Sequence, residues 1–111
     1  MRAGLELVKA DRVILDDGRP CIRLQLLFCN TGAEQACFLR TWDVCAYRQG
    51  RPLERCYEPD RRGRRDVGIL TAIEPGESIG ATLTFFLGGD GAVQVEARDG
   101  GETLRWGPLA V

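Results

Sequence analysis

The sequence predicts an all-β protein in which short antiparallel strands pack as two facing sheets. Apolar residues recur at every second position along most of the chain, which is the period of a half-buried strand and not of a helix. Turn-forming dipeptides such as Asp17-Gly18 and Pro75-Gly76 separate these segments. No amphipathic helical pattern interrupts them, and this combination favours a β-sandwich.

The alternating segments predict about seven to eight strands. We expect them at about 4–9, 12–15, 20–29, 37–48, 68–73, 78–87 and 92–98, with a short eighth strand at 102–106. The inward positions of these strands give a predicted core of Ile22, Leu24, Leu26, Phe28, Phe38, Trp42, Leu83, Phe85, Val93 and Val95.

The chain length and composition predict one globular domain over residues 1–111. The chain has 111 residues, of which 44% are hydrophobic and 28% charged. One segment departs from this composition: residues 51–66, "RPLERCYEPDRRGRRD", are too polar for a core and too long for a tight turn. We therefore expect an exposed Arg-rich loop there.

The overall charge and the N-terminus restrict the possible partners and locations. The formal net charge is -1, so the molecule as a whole has no strong attraction for nucleic acid or for membrane surfaces. No segment approaches the length of a membrane span. The first residues lack the apolar run of a signal peptide, which predicts a cytoplasmic protein. The mature part of a secreted or cell-surface protein, with its signal removed, would have the same sequence, and both interpretations stay open.

Four segments, taken in order, resemble a known family. The segments "DDGRPCIRLQLLFCNTGAE", "AYRQGRPLE", "IEPGESIGATLTFFL" and "VQVEA" together resemble a bacterial family of immunoglobulin-like domains of unknown function, related in architecture to the telokin-like sandwiches. The resemblance covers about residues 8 to 98. It implies an immunoglobulin-like antiparallel β-sandwich, a secreted or lipid-anchored location, and no catalytic residues.

Five cysteines raise the question of a metal site or a reactive thiol. Four of them, at 21, 29, 37 and 45, are spaced eight residues apart, and the fifth is Cys56. Zinc sites use close pairs such as C-x₂-C, and a catalytic thiol is usually activated by His; the chain has neither. We therefore expect no metal, no cofactor and no enzymatic activity.

The same cysteines leave two structural interpretations open. A hairpin of residues 20–29 and 37–46 would set Cys21 opposite Cys45 and Cys29 opposite Cys37, which would allow two cross-strand disulfides. An immunoglobulin-like sandwich instead places these two segments in opposite sheets, about 10 Å apart, where outward cysteines cannot meet. The odd number of cysteines also favours free thiols.

An arginine cluster in the 51–66 segment has two interpretations as well. It consists of Arg51, Arg55, Arg61, Arg62, Arg64 and Arg65. Such a cluster is typical of a phosphate, nucleic-acid or acidic-partner contact. Glu54, Glu58, Asp60 and Asp66 dilute its charge, and Tyr57 is the lone aromatic residue nearby. A solvated loop is therefore favoured, and nucleic-acid binding is not.

The predicted function is a non-catalytic protein-interaction or assembly module. The outward positions of strands 20–29 and 37–48 carry more Leu, Cys and Tyr than a solvated sheet face needs. We expect a protein partner or self-association, with partner-binding residues Leu27, Leu39, Tyr47, Arg61, Arg62, Arg64 and Arg65. The alternatives are a small ligand-binding or enzymatic protein with its site in the end loops, and an anion or nucleic-acid contact through the Arg-rich loop.

Overall fold

The computed structural model describes residues 4–31, 37–38, 43–57, 72–99 and 101–110. Within these ranges the secondary structure consists of strands and turns. The strands are β1 Gly4–Ile14, β2 Pro20–Cys29, β3 Cys37–Phe38, β4 Asp43–Arg48, β5 Arg51–Pro52, β6 Arg55–Cys56, β7 Ala72–Ile73, β8 Ser78–Phe86, β9 Val93–Asp99 and β10 Glu102–Leu109.

Two four-stranded antiparallel sheets form the body of the molecule. The first sheet has the order β1-β2-β8-β6 and the second has the order β10-β9-β4-β5, while β3 and β7 pair separately. Apart from the β3–β7 pair, the strand order in the two sheets is that of an immunoglobulin fold with one additional strand at the edge of its second sheet. The predicted antiparallel β-sandwich is therefore confirmed.

A single apolar core joins the two sheets. Ile22, Leu24 and Phe28 on β2 are completely buried, as are Val93 and Val95 on β9 of the other sheet. Of the predicted core, the structure buries Ile22, Leu24, Leu26, Phe28, Leu83, Phe85, Val93 and Val95. Two predicted core positions, the side chain of Phe38 and the whole of Trp42, lie outside the described residues.

The chain passes from one sheet to the other directly after a tight turn. Gln49 and Gly50 have φ values of 52° and 76°, as a two-residue type I′ hairpin requires, and they join β4 to β5. Leu53 N then donates a hydrogen bond of 2.8 Å to Ala46 O in the second sheet. One residue later Glu54 O accepts a bond of 2.9 Å from Phe86 N in the first sheet. The crossing closes one edge of the sandwich.

The first strand differs from its prediction. Residues 4–14 form one continuous strand, β1, and not two strands at 4–9 and 12–15. Its pairing with β2 shifts between Leu7 and Lys9, so Val8 is an extra residue in the ladder. The bulge reverses which positions of the strand point inward. Leu7 before it and Ala10 after it are three residues apart, yet both pack against the core.

The expected loop at 51–66 contains sheet structure in its first part. β5 and β6 lie within it, and Cys56 is buried. The Arg55 guanidinium lies 5.5 Å from the centroid of the Phe85 ring, so this polar residue borders the core with its charge over an aromatic face. Residues 58–66 lie outside the described part of the chain.

The pairing of β2 excludes the disulfide hairpin. β2 pairs with β1 and β8, whereas β4 pairs with β5 and β9 in the other sheet. The pairs Cys21–Cys45 and Cys29–Cys37 of that hypothesis therefore do not form. Among the cysteines whose side chains are described, the free thiols are Cys21, Cys29, Cys45 and Cys56.

Truncation of an inward side chain should destabilise the sandwich strongly. Leu24→Ala or Phe85→Ala removes a buried side chain and should lower the free energy of unfolding by about 2–5 kcal/mol, because it leaves a cavity. Gln25→Ala on the exposed side of β2 is the matched control, with an expected change within about 0.5 kcal/mol. Urea denaturation measures all three. A loss near zero at Leu24 would contradict the assigned inward face.

Candidate functional site

The outer surface of the second sheet brings together polar and aromatic side chains from three strands. We call it the Tyr47 face and define it by the outward residues Asp43, Cys45, Tyr47, Gln94, Glu96, Arg98, Thr103 and Arg105. They point outward because their sequence neighbours Val44, Ala46, Val95 and Ala97 point into the core.

Glu96 organises the charges of this face. Its Oε1 accepts a hydrogen bond of 2.9 Å from Arg105 Nε, and its Oε2 accepts one of 2.9 Å from Arg98 Nη2. The Glu96 side chain is 17% exposed, whereas Arg105 is 70% exposed. These two hydrogen bonds, that of Arg105 first, hold the pKa of Glu96 below its ordinary value. Glu96 in turn raises the pKa of Arg98.

Beside this charged cluster lie a thiol and a phenol that stay protonated. Burial, followed by the nearby carboxylate of Asp43, raises the pKa of the Cys45 thiol, whose Sγ lies 3.9 Å from Asp43 Oδ1. Burial, followed by the proximity of Cys45, raises the pKa of Tyr47. Both shifts disfavour the anion that a nucleophile needs. This part of the face therefore offers neutral, partly buried contact surface.

Leu27, another predicted partner-binding residue, lies on a different surface. It is half-buried on the outer side of the first sheet, between Glu6 on β1 and Gly80 on β8. Nearby, Ser78 Oγ donates a hydrogen bond of 3.3 Å to Cys29 Sγ. Because the two sheets face each other through the core, the structure does not bring Leu27 and Tyr47 together.

Cys21, expected on an exposed outward face, is completely buried. It lies directly between Val13 on β1 and Phe86 on β8. The Arg19 guanidinium stacks over the Phe86 ring at 4.4 Å from its centroid, and Asp17 holds Arg19 in an ion pair of 2.7 Å. Cys21 is therefore unavailable as part of an exposed contact surface.

The remaining predicted partner-binding residues are Leu39, Arg61, Arg62, Arg64 and Arg65. All five lie outside the described residues, and their proposed role stays a prediction.

The sequence interpretation missed a cleft of about 320 Å³ beside the β4–β5 turn. The lining residues are Arg48, Gln49, Arg51, Pro52, Leu53, Glu54, Phe86, Leu87 and Gly88. One sequence signal could have found part of it: Arg48 and Arg51 flank a two-residue turn and so pair across the hairpin. The contribution of Phe86 and Gly88 depends on the fold of the distant β8.

The residues that the structure describes contain no group of three or more His, Cys, Asp or Glu side chains that could hold a metal ion. None of their secondary structure is a helix long and apolar enough to cross a membrane.

Comparison with known proteins gives no relative: no protein-family model, no curated protein and no solved structure matches the chain. The functional interpretation therefore depends on the geometry of the Tyr47 face and of the cleft.

Removal of Arg105 should raise the pKa of Glu96. The hydrogen bond from Arg105 lowers this pKa most, and the hydrogen bond from Arg98 lowers it next most. The pKa of Glu96 should therefore rise further in Arg105→Gln than in Arg98→Gln. These ion pairs contribute fully to the free energy of unfolding when the pH is above the ordinary pKa of Glu. This contribution is lost as the pH falls through the lowered pKa of Glu96 in the folded protein. The measurement is a carboxyl-carbon NMR titration from neutral pH to about pH 2. An unchanged pKa of Glu96 in Arg105→Gln would contradict the ion-pair assignment.

Proposed function

We propose that this protein is a non-catalytic assembly module that self-associates through the Tyr47 face. The single observation that carries the proposal is the ordered cluster of Glu96, Arg98 and Arg105 beside the half-buried Tyr47. Tyr and Arg are the residue types that most often dominate the binding energy of protein interfaces.

The ion pairs lower the entropy cost of association. A free Arg side chain on a surface loses rotamer freedom when a partner immobilises it. Here Glu96 already holds both guanidinium groups at 2.9 Å in the isolated chain. Much of the ordering at this surface is therefore complete before a partner arrives.

The balance of charge favours a second copy of the chain as the partner. The face carries two carboxylates, of Asp43 and Glu96, and two guanidinium groups, of Arg98 and Arg105. A surface with one sign of charge would repel its own copy, whereas a balanced surface can pair with itself about a twofold axis.

The dimensions of the face predict a weak contact. Six residues of β4 extend about 20 Å, and the three strands of the face span about 14 Å, so each copy offers about 300 Å². Two copies would bury about 600 Å², which lies below the usual range of stable interfaces. We therefore expect a dissociation constant between about 10 μM and about 1 mM.

The described thiol on this face is a poor candidate for catalysis. The pKa of Cys45 is raised, which is the opposite of what nucleophilic activation requires. The chain also contains no His to act as a base near neutral pH. These properties support a contact surface in preference to a reactive centre.

Sedimentation equilibrium of the wild type and of matched variants tests the proposal. Tyr47→Ala and Arg105→Glu should each weaken self-association by about tenfold or more, since one removes the aromatic contact and the other unbalances the charge. Leu27→Asp, on the outer face of the other sheet, is the control and should leave association unchanged.

Two outcomes would overturn this assignment. If the wild type is strictly monomeric at about 1 mM, the protein does not self-associate and the proposal is wrong. Association that is lost in Leu27→Asp but kept in Tyr47→Ala would move the contact to the other sheet. Far-ultraviolet circular dichroism of each variant checks that it remains folded.

A further inference from the structure

The cleft beside the β4–β5 turn borders the Tyr47 face, because Pro52 in its lining pairs with Tyr47 across β4 and β5. It opens where the chain crosses from the second sheet to the first at Leu53 and Glu54. Its volume of about 320 Å³ lies at the lower end of the range for small-molecule sites. Its walls combine two guanidinium groups, one carboxylate and a short apolar strip.

One of the two guanidinium groups is held in place. Arg48 Nη1 donates a hydrogen bond to Leu87 O, directly after the end of β8. The following loop has room for the rest of the side chain because it is rich in glycine: a Cβ atom on Gly89 would lie 2.7 Å from Arg48 Nη2. The Arg48 side chain is therefore positioned before any ligand arrives.

The arginines of the cleft form no ion pair with a described carboxylate, in contrast to three other surface arginines. Arg19 lies in an ion pair with Asp17, and Arg98 and Arg105 both pair with Glu96. Across the residues that the structure describes, neither Arg48 nor Arg51 forms an ion pair, although Glu54 lines the same cleft.

The charge of the lining selects the kind of anion. Arg48 and Arg51 contribute two positive charges and Glu54 one negative charge, which leaves a net charge of +1 in the cleft. A monoanion balances this charge, whereas a phosphate dianion does not. The planar guanidinium group also matches a carboxylate with two parallel hydrogen bonds.

The apolar residues in the lining favour a ligand that has an apolar part as well as a charge. Pro52, Leu53 and Phe86 contribute apolar surface to the cleft. The Arg19 guanidinium lies over the Phe86 ring, 4.4 Å from the ring centroid. A ligand that carried only charge would leave this strip in contact with water.

We propose that this cleft is a binding site for a small monocarboxylate with an apolar or aromatic body. Arg48 and Arg51 bind the carboxylate, and Pro52, Leu53 and Phe86 contact the apolar body. Glu54 opposes the bound anion and disfavours ligands of higher negative charge.

Benzoate is a direct probe, and benzamide is its uncharged control of the same shape. Titration of the ¹⁵N-labelled protein should shift the amide resonances of Gly88 and Gly89 with a dissociation constant on the order of 1 mM for benzoate. Benzamide and inorganic phosphate should each bind about tenfold or more weakly, because the first lacks the charge and the second lacks the apolar body.

Substitutions then locate the site. Arg51→Gln changes an exposed residue and should weaken benzoate binding by about tenfold without affecting the fold, and Arg48→Gln should weaken it at least as much. Glu54→Gln should tighten binding of both benzoate and phosphate by about threefold or more, because it removes the opposing charge. Arg12→Gln, which changes an exposed residue of β1 at the other edge of the first sheet, is the control and should change nothing.

Three results would overturn the assignment. Equal affinity for benzoate and benzamide would show that the cleft does not recognise the carboxylate. Equal affinity for benzoate and phosphate would show that the apolar strip does not contribute to binding. Absence of any shift at about 50 mM benzoate would remove the site altogether. These outcomes are independent of self-association, which the cleft variants should leave unchanged.

Discussion

The architecture depends on the alternation of side chains along β2. This strand lies between β1 and β8, and its inward residues Ile22, Leu24 and Phe28 are completely buried. They share one core with Val93 and Val95 of the opposite sheet. A shift of one residue would reverse every side chain of β2, so the burial of this face determines the register of both neighbouring strands.

Both candidate surfaces follow from this arrangement. Because β2 and β4 lie in different sheets, their outward residues Leu27 and Tyr47 lie on opposite sides of the molecule. The chain must then cross between the sheets after β5, and the crossing at Leu53 and Glu54 leaves the cleft at the edge of the sandwich. Arg48 reaches this cleft because it stands at the end of β4, beyond the last inward apolar residue, Ala46.

The sequence was sufficient for the elements whose alternation is uninterrupted. β2, β8 and β9 were predicted close to their observed bounds, and the predicted core residues on them are buried. β1 was misjudged because the extra residue Val8 interrupts the period of two, which in a sequence resembles a turn.

The candidate sites were harder to predict because exposure depends on neighbours that are distant in sequence. The outward direction of Cys21 follows from its parity, but its burial involves Val13 and Phe86 on adjacent strands. Likewise, the charge of Glu96 and Arg105 is visible in the sequence, whereas their contact requires the pairing of β9 with β10. The arginine cluster predicted from the sequence included Arg51, which lines the described cleft, but it did not include Arg48.

The most direct test of this account is a set of nuclear Overhauser contacts that join backbone protons of β2 and of β4 to those of their neighbouring strands. The account predicts contacts of Gln25 with Thr82 on β8, and of Cys45 with Glu96 on β9 in the other sheet. Contacts of Gln25 with Thr41, or of Arg23 with Asp43, would instead establish a hairpin between the second strand and residues 37–46. They would place Leu27 and the Tyr47 strand in one sheet and contradict the separation of the two surfaces.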